Sequence, residues 1–347
     1  MNVAENILLA KETTFGVGGS GRFFVTGEKL SDVREACVFA NSKQLPFLVL
    51  GGGSNVLFDD GMAEAVIFKP KLLGIDMRKG ERVSLLVAAA SERWDDVVSF
   101  AVENGLHGFE NLSGIPGTVG GALVQNIGAY GAALSKYVRS VEAFDMHTNE
   151  NRIFTTLQCQ FAYRNSIFKK TGGRFVITGA TFELSSAGLL DTSYRDLRDV
   201  FKERRPQLDE LREAILSIRA KKFPDLQKEG TAGSFFKNPI VSKDEAEQLK
   251  KRFPDVPLYI IPEEEGVKVP LAWFLDHVLQ LRGFTLGPVR AFEQQPLVLV
   301  AKRGATARDV RRLARHIQEK VRDEIGLSIL PEVCVLDKNA FTQQLTF

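Results

Sequence analysis

Apolar residues recur along this chain with two periods. Helical spacing puts Val33, Ala36, Cys37 and Ala40 on one face of residues 31–43, where Ser31 is placed to cap. A second helix is predicted from Ser91, at its start, to Asn104, closed by Gly105. Residues 193–223 read as helical and charged, broken at Pro206, with Leu208, Leu211, Ile215 and Ile218 in register. Pro224 ends that stretch, because proline disfavours helix at the residue before it. Further helices are predicted over 243–253, 271–279 and 307–324. The last carries Thr306 and Asp309 as a capping pair and aligns Val310, Leu313, Ala314, Ile317 and Val321.

Short apolar or alternating runs predict strands at 46–50, 56–58, 65–68, 83–89, 138–146, 152–157 and 174–184. Others fall at 259–261, 297–301 and 330–336. Residues 4–25 read as an irregular, glycine-rich entry followed by a strand. Strands alternating with helices, then strands alone, describe an α+β fold. No internal repeat is evident.

The chain has 347 residues. That exceeds the ~250–300 at which one core stops growing, so two or three domains are expected, with a boundary at Phe223–Pro224. A net charge of +2 gives no case for nucleic acid, and the basic run from Arg308 to Arg315 reads as a solvated helix face. No apolar run reaches the ~18 residues a membrane span needs, and no signal peptide is expected. Three scattered cysteines and four unclustered histidines argue for a reduced compartment and no metal site.

Glycine changes the picture most. Seven of the 26 positions from Leu106 to Gly131 are glycine, interleaved with Leu112, Ile115, Val119, Leu123, Val124 and Ile127. A second cluster is Gly51-Gly52-Gly53-Ser54-Asn55. Glycine lets backbone approach a ligand and bares amides that bind anions, so the two loops are expected to seat a large phosphate-bearing cofactor. The upstream glycines are consecutive and lie between two extended segments, which argues against a Rossmann turn.

The second dense site is Gly230 to Pro239, GTAGSFFKNP. It reads either as a turn with a structural serine or as a site presenting Ser234, with Lys237 and Asn238 adding donors. It lacks the second glycine of a nucleophile elbow. Histidine is scarce, so proton transfer falls to Ser, Tyr, Lys or Glu. Lys222 reads as a helix-end lysine or as a cation for a ligand. Arg164, in FAYRNSIF, is a fork suited to carboxylate or phosphate, or the partner of a surface acid. Glu332 lies in an apolar strand signal, where alternation turns a charge outward.

GGGSN, then LHGFENLSGIPGTVGGALVQNIGAYG, YRNSIF, GTAGSFFKNP and PEV, in this order, resemble the UDP-N-acetylenolpyruvoylglucosamine reductase family, flavoenzymes of early peptidoglycan synthesis. The resemblance runs from about Thr13 to Val335. It implies a PCMH-type (vanillyl-alcohol-oxidase-like) FAD-binding domain of two lobes over 1–222, rejoined by 331–347. A smaller α+β substrate-binding domain would span 223–330. It implies non-covalent FAD reduced by NADPH, hydride delivery from flavin N5 to the enolpyruvyl methylene, and protonation of the adjacent carbon by Ser234. Arg164 and Glu332 match the other two catalytic positions.

Cofactor-binding positions implied are Gly51, Gly52, Gly53, Ser54, Asn55, Ile115, Pro116, Gly117, Gly120, Gly121, Asn126, Gly128, Ala129, Tyr130, Gly131 and Arg219. Substrate-binding positions implied are Tyr163, Tyr194, Lys222, Asn238, Tyr259, Lys268 and Gln295. Tyr194, in SYRDL, marks the form of the family with a loop that closes over the uridine diphosphate. Thr13 stands where the family often has Asn. The resemblance further implies a cytoplasmic monomer serving cell-wall synthesis, cell shape and division. Its partners would be a nucleotide sugar and NADPH, with no nucleic acid or membrane. Two other readings stay open. One is a flavin oxidase tethering its cofactor through His107 or His147; the other is a non-catalytic nucleotide-sugar module.

Overall fold

A computed structural model describes residues 1–261 and 266–336. The last eleven residues of the segment 331–347 therefore lie outside the described residues.

The chain opens with β1 (Asn2–Leu8) and β2 (Ser20–Gly27), then α1 (Leu30–Lys43), β3 (Phe47–Val49), β4 (Val56–Phe58) and β5 (Met62–Pro70). Next come β6 (Ile75–Arg78), β7 (Val83–Ala89), α2 (Trp94–Glu103) and α3 (Val119–Gln125). A two-residue pair, β8 (Gly128–Ala129) and β9 (Ala132–Ala133), precedes β10 (Val138–Asp145), β11 (Glu150–Thr155), α4 (Ile167–Lys170) and β12 (Phe175–Ser185). Two helices follow, α5 (Arg195–Phe201) and α6 (Leu208–Lys222). Then come β13 (Ile240–Val241), α7 (Lys243–Arg252), β14 (Tyr259–Ile261), β15 (Gly266–Lys268) and α8 (Leu271–Trp273). The rest is β16 (Thr285–Leu286), β17 (Val289–Ala291), β18 (Leu299–Ala301), α9 (Ala307–Ile325) and β19 (Cys334–Leu336).

Two larger sheets dominate the first 185 residues, with β4 and the β8–β9 pair outside them. One has the order β1-β2-β5-β3, with β2 and β3 both parallel to β5. The other is wholly antiparallel, β11-β10-β12-β7-β6. Its core gathers Trp94, Phe109 and Phe182, whose rings meet edge-on or tilted. The α1 face (Val33, Ala36, Cys37, Ala40) packs on the first sheet as the periodicity predicts. Residues after 230 build a separate apolar cluster around Phe235, Phe236, Phe274 and the predicted face of α9, to which Phe15, Val17 and Leu57 also contribute.

Two connections return to the N-terminal part of the chain, between β3 and β5. β19 pairs in parallel with β4, Cys334 opposite Val56. The carboxylate of Asp60 accepts the main-chain N–H of Ala307 (2.6 Å) and Arg308 (2.9 Å), adding an anion to the positive end of α9 beyond its own Thr306–Asp309 box.

Several expectations are corrected. Ser31 is inside α1, whose start is held by Asp32 accepting the amides of Glu28 and Lys29. Ser91 lies before α2, bridging Leu72 N–H and the Pro70 carbonyl. The N-terminal entry contains the strand β1, hidden because its face is mostly exposed. Residues 271–279 form one short α-turn that widens into a π-turn over Phe274–Val278. The strand expected over 330–336 is confined to its last three residues.

Candidate active site

The GGGSN loop joins β3 to β4, as its flanks predict. The five amides of residues 51–55 find no acceptor among the described residues, nor do those of Gly117 and Thr118. Such a run of bared N–H groups is an anion cradle. The Ser54 hydroxyl donates to the Pro116 carbonyl at 3.1 Å, so the two glycine loops meet. Gly53 has a φ of +64°, and a Cβ there would also sit 2.1 Å from the Glu12 carbonyl, so the position requires glycine on both counts.

The downstream loop is less uniform than its glycine content implies. Thr118 caps α3 within it. Gly120 donates to Ala90 O and Gly121 to Thr118 Oγ1, so neither offers an amide to a ligand. Asn126 is a strut: its amide nitrogen donates to the Ala162 carbonyl (2.9 Å) and its oxygen accepts Ser135 N–H (3.0 Å). Ile115 and Ala129 are half-buried. Tyr130 and Gly131 turn the β8–β9 pair with positive φ. Half-buried Arg219 donates to the Gly114 carbonyl (3.0 Å) and hydrogen-bonds Tyr130, tying α6 to this loop.

Arg164 occupies a tight turn in which Ala162 and Asn165 exchange both main-chain hydrogen bonds. Its φ of +54° is unusual for a side-chain-bearing residue. Nη2 donates to the Gly128 carbonyl at 2.7 Å, and Nε lies 2.7 Å from Glu332 Oε1. That second contact is an ion pair out of line with the N–H, which has no hydrogen-bond acceptor among the described residues. Glu332 therefore faces inward. Alternation did not apply to it, because β19 begins only at Cys334. Glu332 Oε1 also accepts from Gln125 Nε2 (3.2 Å), and its carbonyl accepts from Asn55 Nδ2 (3.3 Å).

Ser234 lies on a stretch locked on both sides. Phe235 N–H donates to Leu297 O (2.8 Å), and the Phe235 carbonyl accepts Glu332 N–H (2.7 Å). Ser234 and Glu332 are thus neighbours through main chain. The Ser234 hydroxyl makes no hydrogen bond to any described residue. Gly230 is obligatory here, since a Cβ would lie 1.8 Å from the Phe15 carbonyl.

The Lys268 ammonium lies over the rings of Tyr163 (5.9 Å) and Tyr259 (5.7 Å). Burial, then the Arg164 charge, lowers its pKa. Tyr163 hydrogen-bonds Asn238, and burial raises its phenol. Asn238 Oδ1 accepts Leu271 N–H at 3.0 Å. Tyr194, at the start of α5, meets the Tyr130 ring edge-on at 5.2 Å and interacts with Tyr259. Two positions are engaged elsewhere: Lys222 pairs with Asp196, and the Gln295 side chain accepts Leu297 N–H in its own turn.

Sequence reasoning missed Gln125 and Lys169, which complete the Arg164–Glu332 cluster. Gln125 was legible as the residue before Asn126 in a dense motif; Lys169 carried no signal beyond helix charge. Among the described residues no cluster of His, Cys, Asp and Glu could hold a metal, and no helix is long and apolar enough to cross a membrane.

Residues 22–151 match the family described as FAD binding domain, the stretch that contains both glycine loops. With the α+β architecture, this makes the chain a flavin-dependent oxidoreductase built on a PCMH-type domain. Residues 225–336 match the C-terminal domain of UDP-N-acetylenolpyruvoylglucosamine reductase. Proteins of that name from Pseudomonas aeruginosa and Bdellovibrio bacteriovorus are 39% and 38% identical, each over 96% of this chain and 98% and 99% of their own lengths. The crystal structure of the Thermus caldophilus reductase superposes with a TM-score of 0.68 at 25% identity, covering 97% of this chain and 99% of that one. The chain belongs to the UDP-N-acetylenolpyruvoylglucosamine reductase family.

Proposed function

We propose that this protein reduces the enolpyruvyl ether of UDP-N-acetylglucosamine to UDP-N-acetylmuramate, using NADPH, with Ser234 as the proton donor. It would act as a cytoplasmic monomer in cell-wall synthesis and so serve cell shape and division. Residues 1–222 with 331–347 would hold FAD, and 223–330 the nucleotide sugar. The single observation that carries the reading is the Ser234 hydroxyl, without a hydrogen-bond partner among the described residues and held through main chain beside the Arg164–Glu332 pair.

The amides of residues 51–55 and Gly117 fit the pyrophosphate of FAD, with Arg219 bracing the neighbouring loop. Bound FAD would supply the hydride taken from NADPH.

Everything else falls to the chain. The substrate's double bond is conjugated with a carboxylate, so added negative charge must be met by a cation. Arg164 offers its guanidinium, and Glu332 holds it in place. The adjacent carbon then becomes strongly basic, so a weak acid such as the Ser234 hydroxyl suffices. Lys268, flanked by Tyr163 and Tyr259, supplies charge suited to a diphosphate. Asn238 fixes Tyr163, and Tyr194 extends the aromatic wall toward Tyr259. Lys222 and Gln295 would contribute after leaving their internal partners.

The test is NADPH consumption with and without the enolpyruvyl nucleotide sugar. Consumption coupled to a product heavier by one H2 is expected. Equal consumption without that substrate, or flavin that stays with the acid-precipitated pellet, overturns the reading.

A further inference from the structure

Lys169, on α4, is joined to the Arg164–Glu332 pair from two directions. Its Nζ lies 2.6 Å from Gln125 Oε1 and 3.2 Å from the main-chain oxygen of Arg164. The Gln125 amide therefore turns its nitrogen the other way, and that nitrogen donates to Glu332 Oε1 at 3.2 Å. The same Oε1 faces Arg164 Nε at 2.7 Å. We propose that Lys169 is a positioning residue of this site: it fixes Gln125 as a donor to Glu332 and clamps the backbone of Arg164, so that the guanidinium meets the substrate carboxylate in one orientation. This rests on the roles given above to Arg164 and Glu332.

The chemistry follows from donor counting. An ammonium can only donate, whereas an amide has one donating and one accepting end. A cation on Oε1 leaves Gln125 only its N–H to offer. Without that cation the amide is free to turn over and aim its oxygen at Glu332. Two oxygens facing each other repel, so Glu332 Oε1 would lose that donor and hold Arg164 Nε less firmly.

The backbone contact acts on the other partner. Arg164 sits in the left-handed region, which an arginine keeps only where its neighbours hold it. The Lys169 bond to its carbonyl is part of that hold, together with the Ala162–Asn165 exchange and the Gly128 contact.

A purely space-filling role does not explain a lysine here. Arg164, Lys237, Glu332 and Cys334 all act on Lys169. Burial, then the Lys237 charge, pushes its ammonium down to about 8. An apolar side chain would fill the place without that electrostatic cost.

The experiment is stopped-flow on the holoenzyme, with the two half-reactions read separately. For Lys169→Met, flavin reduction by NADPH is expected within about twofold of the unmodified protein. Flavin reoxidation at saturating enolpyruvyl nucleotide sugar is expected to fall roughly 10–100-fold, the scale of a misplaced reacting group. Gln125→Met should lose a similar factor, and the double variant should lose no more than the worse single, because both cut one relay. Should Lys169→Met fail to fold, Lys169→Leu, which likewise has no donor, takes its place with the same expectation. Reoxidation at the unmodified rate, or losses that multiply in the double variant, overturns the inference. The functional reading is judged on the unmodified protein: if its reduced flavin is not reoxidised by this substrate, that reading falls and the inference with it.

Discussion

A Cβ on Gly52 would lie 2.7 Å from the Cα of Gly117, backbone against backbone. The two glycine loops are therefore spaced for hydrogen alone. Gly52→Ala should push them apart and misalign the amides of residues 51–55. Flavin occupancy after gel filtration, read from visible absorbance, should drop by about tenfold while the far-UV spectrum is kept. Full yellow colour in that variant would remove these loops from cofactor binding.

Ser234→Ala should separate the two half-reactions. Flavin is still reduced by NADPH, but its reoxidation by the nucleotide sugar slows by ~10²–10⁴, the usual contribution of a positioned acid. Single-turnover absorbance traces check this. An undiminished second phase would assign the proton elsewhere.

Tyr194 stands 43% exposed, with its ring against Tyr130 and Tyr259 close by. Tyr194→Phe keeps the ring and deletes the hydroxyl. Nucleotide-sugar affinity should weaken about 5–20-fold, the scale of one lost polar contact, with flavin reduction unaltered. Equilibrium titration gives the answer; an unchanged Kd excludes the hydroxyl from binding.

Asp145 is fully buried at the end of β10 and accepts from both Arg174 (2.7 and 2.9 Å) and Arg152 (3.2 Å). The Arg174 guanidinium holds its carboxyl well below the usual range. A depressed native pKa adds stability that is complete above the ordinary carboxylate value of about 4 and is lost as pH falls through the native one. Asp145→Asn should cost about 1–2 kcal/mol at neutral pH, with both arginines partly solvated. Urea melts should show that gap narrowing on acidification below pH ~4; a constant gap would contradict the pairing.

Much of this was legible in the sequence. The faces of α1 and α9 follow directly from spacing, since apolar period and burial are one phenomenon there. Motif order pointed to the glycine loops, Arg164, Ser234 and Glu332, but not to how they touch. Helix α3 was hidden because glycine reads as loop, although Thr118 announces its cap. The partnership of Gln125 with Lys169 spans 44 positions and leaves no local trace. Ser31 and Ser91 show the limit of cap residues as signals. Asp32 won at α1 because its longer reach meets two amides, and Ser91 was recruited to join two segments instead.

The bend at Asp59–Asp60 looks like a convenient place to splice in a tag. It is a poor one. Lengthening it would drag the Asp60 carboxylate away from the amides of residues 307 and 308, and the harm would surface 247 positions downstream, in a helix that a reader of the primary sequence would never connect with the edit.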